Sequence, residues 1–183
     1  MFAPQVIEPI PGTVLGVDPG LTRCGFAVLV ASGGTDVRAV SLGVIRTPAT
    51  DDLPARLAEL HREITDLIAR YRPAAVAVEQ VFFQSNVRTA MSVGQASGVI
   101  IAVAAAAGCR VVQYTPSQVK NAVAGWGGAD KVQVGMMVQR RLGLTAVPRP
   151  ADAADAAAIA LCHCAMAPFT DRRDAALARS EGR

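Results

Sequence analysis

The sequence predicts an α/β domain: a mixed five-stranded sheet with helices on both faces. Three observations carry that expectation. Thr13–Val17 and Ala74–Val78 are short, near-continuous apolar runs, the pattern of strands buried on both sides. Gly25–Ala31 and Val37–Arg46 are β-rich and joined through Gly33-Gly34, a hairpin signal. The segments between and after these runs carry apolar residues at helical spacing. Their order, three strands, helix, strand, helix, strand and three helices, is that of a sheet sandwiched by helices.

Each element has a local reason. Thr13–Val17 ends at Asp18-Pro19-Gly20, a turn, and the hairpin follows it to make three antiparallel strands. Asp51-Asp52 opens a helix whose apolar positions are Leu53, Leu57, Leu60, Ile64, Leu67 and Ile68, and Pro73 stops it. Ala74–Val78 then runs to Glu79. Asn86–Ala107 is a long helical segment closed by Gly108. Arg110–Tyr114 is the last strand. Pro116 starts a short helix carrying Lys120, the run Gly125-Trp126-Gly127-Gly128 breaks it, and Lys131–Leu142 is helical again. A loop marked by Pro148 and Pro150 leads into a final helix, Asp152–Ala167.

At 183 residues the chain suits one domain with short extensions. The expected division is an N-terminal extension over 1–12, the folded domain over 13–168 and a polar, mobile tail over 169–183. Only 4% of residues are aromatic, so Ala, Val, Ile and Leu must fill the core. A net charge of +3 permits a polyanionic partner without demanding one. Cys24, Cys109, Cys162 and Cys164 are too scattered for a disulfide scaffold, and Cys162-His163-Cys164 lacks the spacing of a zinc knuckle. Met1–Gly12 does not resemble a signal peptide, and the apolar run Val99–Gly108 is too short to cross a bilayer. A cytoplasmic protein without membrane attachment is expected.

Four of the fifteen acids stand in apolar company. Asp18 follows Val-Leu-Gly-Val, Glu79 follows Ala-Val-Ala-Val, and Asp152 and Asp155 lie in an alanine-rich stretch, three apart on one helix face. Singly, each has a plain explanation: Asp18 as a turn residue, Glu79 as an exposed strand end, Asp152 as a helix cap. Together they favour a cation site, because adjacent carboxylates repel and hard divalent ions prefer oxygen donors. Asp18 and Glu79 both close buried strands, the end at which α/β sheets gather ligand groups. Lys120 and Lys131, the chain's only lysines, flank the glycine-rich loop, where backbone and ammonium groups can approach phosphate. Asn86–Ala107 is apolar and rich in small residues over more of its surface than one core face needs. That suits a dimer interface, with Ala90 and Ala104 expected to point outward.

These motifs resemble the RuvC family of Holliday junction resolvases. The resemblance rests on Val-Asp-Pro-Gly at Asp18, Val-Glu-Gln-Val-Phe at Glu79, Gly94-Gln95-Ala96, Gln118-Val119-Lys120, the segment Gly125–Val134, and Ala-Asp-Ala-Ala-Asp-Ala at Asp152 and Asp155. It covers about Val14 to Cys164 in the family's order. It implies a ribonuclease-H-like fold and a homodimer that nicks four-way junction DNA symmetrically in recombination and repair, beside a branch-migration motor complex. By position, Asp18, Glu79, Asp152 and Asp155 match the family's catalytic metal-binding acids, Lys120 and Lys131 its basic residues near the cut strand, and Phe82 its junction-facing aromatic. Two Mg²⁺ ions per site, with Mn²⁺ able to substitute, would activate water and stabilise the leaving oxygen. The N-terminal extension and Phe83 beside Phe82 depart from the family pattern. Other readings are a sugar-kinase-like ATPase, for which the chain is short, a nuclease cutting RNA in hybrids, and a junction-binding module without cutting.

Overall fold

The computed structural model describes residues 8–33, 36–80 and 87–181. β1 (Ile10–Asp18) lies at the centre of a five-stranded sheet ordered β3-β2-β1-β4-β5. β2 (Arg23–Gly33) and β3 (Asp36–Arg46) extend it on one side as an antiparallel meander. β4 (Pro73–Glu79) and β5 (Arg110–Tyr114) extend it on the other, parallel to β1 and to each other. Parallel strands need long connections, and α1 (Leu53–Tyr71) and α2 (Val87–Ala106) lead into the two parallel strands. α3 (Pro116–Ala124), α4 (Lys131–Arg141) and α5 (Ala151–Glu181) complete the chain. The mixed sheet with helices on both faces is as the sequence predicts.

Strand alternation sorts the two faces. From β1, Leu15 and Val17 join Val76 and Val78 of β4 in a core closed by Leu60, Ile64 and Ile68 of α1 and Ala96, Ile100 and Ala104 of α2. Val14 and Ala77 belong to the opposite core, closed by Val119 and Val123 of α3, Val134 and Val138 of α4, and α5 from Ala156 to Cys162. Asp18 and Glu79 fall on this second face, in step with Val14 and Ala77.

α5 lies close against the sheet because small residues meet there. A Cβ on Gly16 would collide with the carbonyl oxygen of Ala156 and with Ala160. A Cβ on Gly25 would collide with the carbonyl of Asp152. Ala156 through Cys162 are all at most 1% exposed, so the alanine-rich sequence is that of a helix buried nearly all round.

Several expectations need correction. Ile10–Gly12 belong to β1, since Ile10 pairs with Pro73 and donates its amide to the Arg72 carbonyl. The final helix does not stop at Ala167 but continues to Glu181, over a segment rich in the strong helix formers Ala, Leu and Arg. Ala104 is fully buried against α1 and the sheet, not outward. Leu53, at the first turn of α1, is exposed and not part of the core stripe. Phe82 and Phe83, Gly34 of the hairpin turn and Asn86 lie outside the described residues.

Candidate active site

β1 and β4 run parallel with Val17 level with Val78, so Asp18 and Glu79 stand side by side one residue further on. Both strand ends open into a cleft of about 320 Å³ lined by Asp18, Glu79, Lys120, Lys131 and Asp155 among others. Lys120 comes from α3, whose start is set by Pro116 and by a reciprocal cap between Thr115 and Gln118. Lys131 is the first residue of α4, started by the same device between Asp130 and Gln133. Asp152 and Asp155 project from the first turns of α5, with side chains 26% and 29% exposed, while the other residues from 153 to 163 are buried.

The electrostatics follow from crowding. Burial pushes the Asp18 carboxyl up to about 7, and the neighbouring Glu79, Asp155 and Asp152 push it the same way, with Lys131 opposing. Burial, then Asp155, raises Glu79 as well. Asp152 moves the other way: the hydrogen bond from the Arg23 guanidinium holds its carboxyl below the ordinary range. Lys131 donates to Asp155 Oδ2 at 3.0 Å, and that bond raises the lysine's own pKa.

The structure therefore brings Asp18, Glu79, Asp155, Lys120 and Lys131 to one cleft, with Asp152 one helical turn from Asp155. Among the described residues no three Asp, Glu, His or Cys side chains form a ready cation cage. Two of the four acids are instead held by basic side chains. The donor set nonetheless fits Mg²⁺ or Mn²⁺: it is all oxygen, and it contains a carboxyl raised by burial and then by neighbouring acids, a strain that a cation would relieve.

Arg23 was not singled out from the sequence. It sits five residues after Asp18 and 129 before its partner Asp152, so nothing local marks the pairing. Trp126, at 55%, is exposed on the loop between α3 and α4. His163, in the suspected Cys-His-Cys run, is buried and bonded through Nδ1 to the Tyr114 hydroxyl at 2.9 Å, while the four cysteines are free thiols. That run is core, as its spacing implies.

A model of the family described as "Crossover junction endodeoxyribonuclease RuvC" matches residues 14–163. The protein of that name from Rhodococcus jostii is 52% identical over 168 residues, covering 92% of this chain and 87% of the relative. The Frankia casuarinae protein is 55% identical over 161 residues, covering 87% and 92%. Among solved structures, Thermus thermophilus RuvC in complex with Holliday junction substrate superposes with a TM-score of 0.82 at 39% identity, covering 86% of this chain and 96% of that one. The yeast mitochondrial Holliday junction resolvase Ydc2 shares the fold, with a TM-score of 0.63 at 16% identity over 87% of this chain and 82% of its own. The α/β architecture is accordingly of the ribonuclease-H-like class.

Proposed function

The chain belongs to the RuvC family of crossover junction endodeoxyribonucleases, and from that premise we propose how its cleft carries out the reaction. The protein is a metal-dependent DNA endonuclease that resolves four-way junctions in recombination and repair. One observation carries the site assignment: Asp18 and Glu79 from neighbouring strand ends face Asp155 across a single cleft, with Asp152 one turn away.

We assign Asp18, Glu79, Asp152 and Asp155 as the ligands of two Mg²⁺ ions, for which Mn²⁺ substitutes. When bound, such ions supply Lewis acidity to the scissile phosphate, the attacking water and the leaving 3′ oxygen. The residues do the rest. Asp18, on the central strand, has Glu79 on its β4 side and Gly25, against which Asp152 packs, on its β2 side. It would be the central donor of the set that holds the ions. Lys131, its side chain 80% exposed, exchanges Asp155 for a DNA phosphate, and Lys120 holds the same strand from α3. Phe82, by its position in the family motif, stacks on an unpaired base. The products carry a 3′ hydroxyl and a 5′ phosphate.

The partner is four-way junction DNA, engaged by a homodimer so that two clefts nick strands of like polarity, with a branch-migration motor on the same junction. Residues 13–168, together with Ile10–Gly12 of β1, form the nuclease unit. Among the described residues no helix is long and apolar enough to cross a membrane. The site of action is the cytoplasm.

Asp18→Asn tests the assignment. It should abolish nicking of a synthetic four-way junction in Mg²⁺ while binding in gel shift stays at least as tight, since phosphate contacts supply the affinity. Nicking by the Asn variant near the wild-type rate would remove Asp18 from the metal site. Hybrid and linear duplex substrates, cut as fast as the junction, would overturn junction selectivity.

A further inference from the structure

Arg23 opens β2 and reaches across to the first turn of α5. Its Nε and Nη2 both donate to the same oxygen, Asp152 Oδ2, at 3.0 and 2.6 Å. The strand makes this possible in two steps. Arg23 and Gly25 are two apart and so share the α5 face of β2. Gly25, having no side chain, lets the Asp152 carbonyl lie against the strand, and Arg23 then meets the carboxylate. Gly25 is also the register partner of Asp18, so the contact is built at the edge of the acid cluster. A partly exposed ion pair, with the Arg23 side chain 41% accessible, contributes little to folding. Gripping one oxygen twice does something else: it pins that oxygen on the β2 side and leaves the second oxygen outside the guanidinium's hold.

We propose that Arg23 is a positioning residue for Asp152, holding one carboxylate oxygen on the β2 side so that the other serves a divalent cation in the cleft. The assignment rests on the reading of Asp18, Glu79, Asp152 and Asp155 as a metal site. Arg23 touches neither the reacting phosphate nor the ion; it acts through Asp152. It also cannot be replaced by a lysine in kind, because an ammonium lacks the rigid pair of donors that converges on that one oxygen.

The test is Mn²⁺ binding to the full-length, DNA-free protein, followed by the electron paramagnetic resonance signal of free Mn²⁺. Loss of an outer-shell partner of this kind weakens metal binding by about 10–100-fold. Arg23→Ala is expected to show that loss, and Arg23→Lys to recover only part of it. In an Asp152→Asn background, Arg23→Ala should change the affinity by less than about twofold, because a residue acting through Asp152 has nothing left to act on. Arg23→Gln, which keeps most of the stem, stands in if the alanine variant melts early. Unchanged or tighter Mn²⁺ binding by Arg23→Ala would overturn the proposal and make Arg23 a competitor of the ion. An equal loss in the Asp152→Asn background would overturn it as well, by showing an effect that bypasses Asp152. If instead the wild type takes up no Mn²⁺, or binds it no better than Asp18→Asn, the metal site itself is refuted and the Arg23 inference falls with it.

Discussion

At the scale of single residues, the cleft is a place where charge is held against its preference. Asp18 at about 7 binds a proton more tightly in the folded protein than in the unfolded chain, where its ordinary value is 3.8. The folded state thus carries more protons across that window. Cation-free stability must fall as pH rises from about 4 to 7 and then level off. Glu79 acts in the same direction. Asp152, lowered by Arg23, acts in the opposite one, adding stability that is lost only on acidification below the ordinary carboxylate range. The Asp18 effect amounts to a few kcal/mol, at about 1.4 kcal/mol for each tenfold change in proton affinity. In EDTA at pH 8, Asp18→Asn should therefore melt several degrees above wild type, a gain that disappears at pH 4. Mg²⁺ should raise the wild-type Tm more at pH 8 than at pH 5.5. Scanning calorimetry across this range decides the matter: an Asn variant no more stable than wild type at pH 8 means that neither burial nor the neighbouring acids strain the Asp18 carboxylate.

At the scale of elements, the site depends on how closely α5 seats on the sheet. Gly16 and Gly25 supply the clearance, and Asp152 and Asp155 ride on the helix they admit. Gly16→Ala puts a methyl group where the Ala156 carbonyl and the Ala160 side chain already lie. Overpacking of this kind costs about 1–3 kcal/mol. For a chain of this size that lowers Tm by about 2–4 °C per kcal/mol. Because the strain displaces the helix bearing two of the acids, single-turnover cleavage by the fully folded variant should fall at least tenfold. A variant with normal Tm and normal cleavage would show that α5 can move aside freely. α2 is instructive in a different way. Its Ala96, Ile100 and Ala104 face the core, while Met91, Gln95, Gly98 and Ala102 are exposed along the opposite side. Of the two outward positions expected from the sequence, Ala104 is buried and Ala90 is half-buried.

At the scale of the whole molecule, resolution demands two cuts related by the approximate two-fold symmetry of an open four-way junction. A C₂ dimer presents two equivalent clefts in that relation. The exposed stripe of α2 through Ala102 is the surface we assign to the contact, which should bury on the order of 1,200–2,000 Å² in total. Ala102→Arg would place an unpaired charge in that contact and should convert the protein to a monomer in sedimentation velocity at micromolar concentration. On supercoiled plasmid carrying an extruded cruciform, wild type should yield linear product from coupled nicks, and the arginine variant open circles. A variant that remains a dimer and linearises the plasmid moves the interface elsewhere; a monomeric wild type, with and without junction, removes the dimer altogether.

What the sequence determined by itself is local or nearly so. Strand runs such as Ala74–Val78, the stop at Pro73, the helix starts at Asp52 and Pro116 and the helix of Lys131 all follow from residues within a few positions of one another, and each stands where expected. Asp18 and Glu79 were legible for the same reason, since a carboxylate after four apolar residues is conspicuous without knowing what it faces. Tertiary structure alone decided the rest. Whether Ala104 or Ala102 faces outward depends on the rotation of α2 against α1, and an alanine-rich helix carries too weak an apolar asymmetry to reveal it. That Arg23 meets Asp152 depends on a strand and a helix 129 residues apart being pressed together at Gly25, a contact with no trace in either neighbourhood. The raised Asp18 carboxyl likewise exists only once β1, β4 and α5 converge, because desolvation and repulsion are properties of the assembled site and not of the residues that enter it.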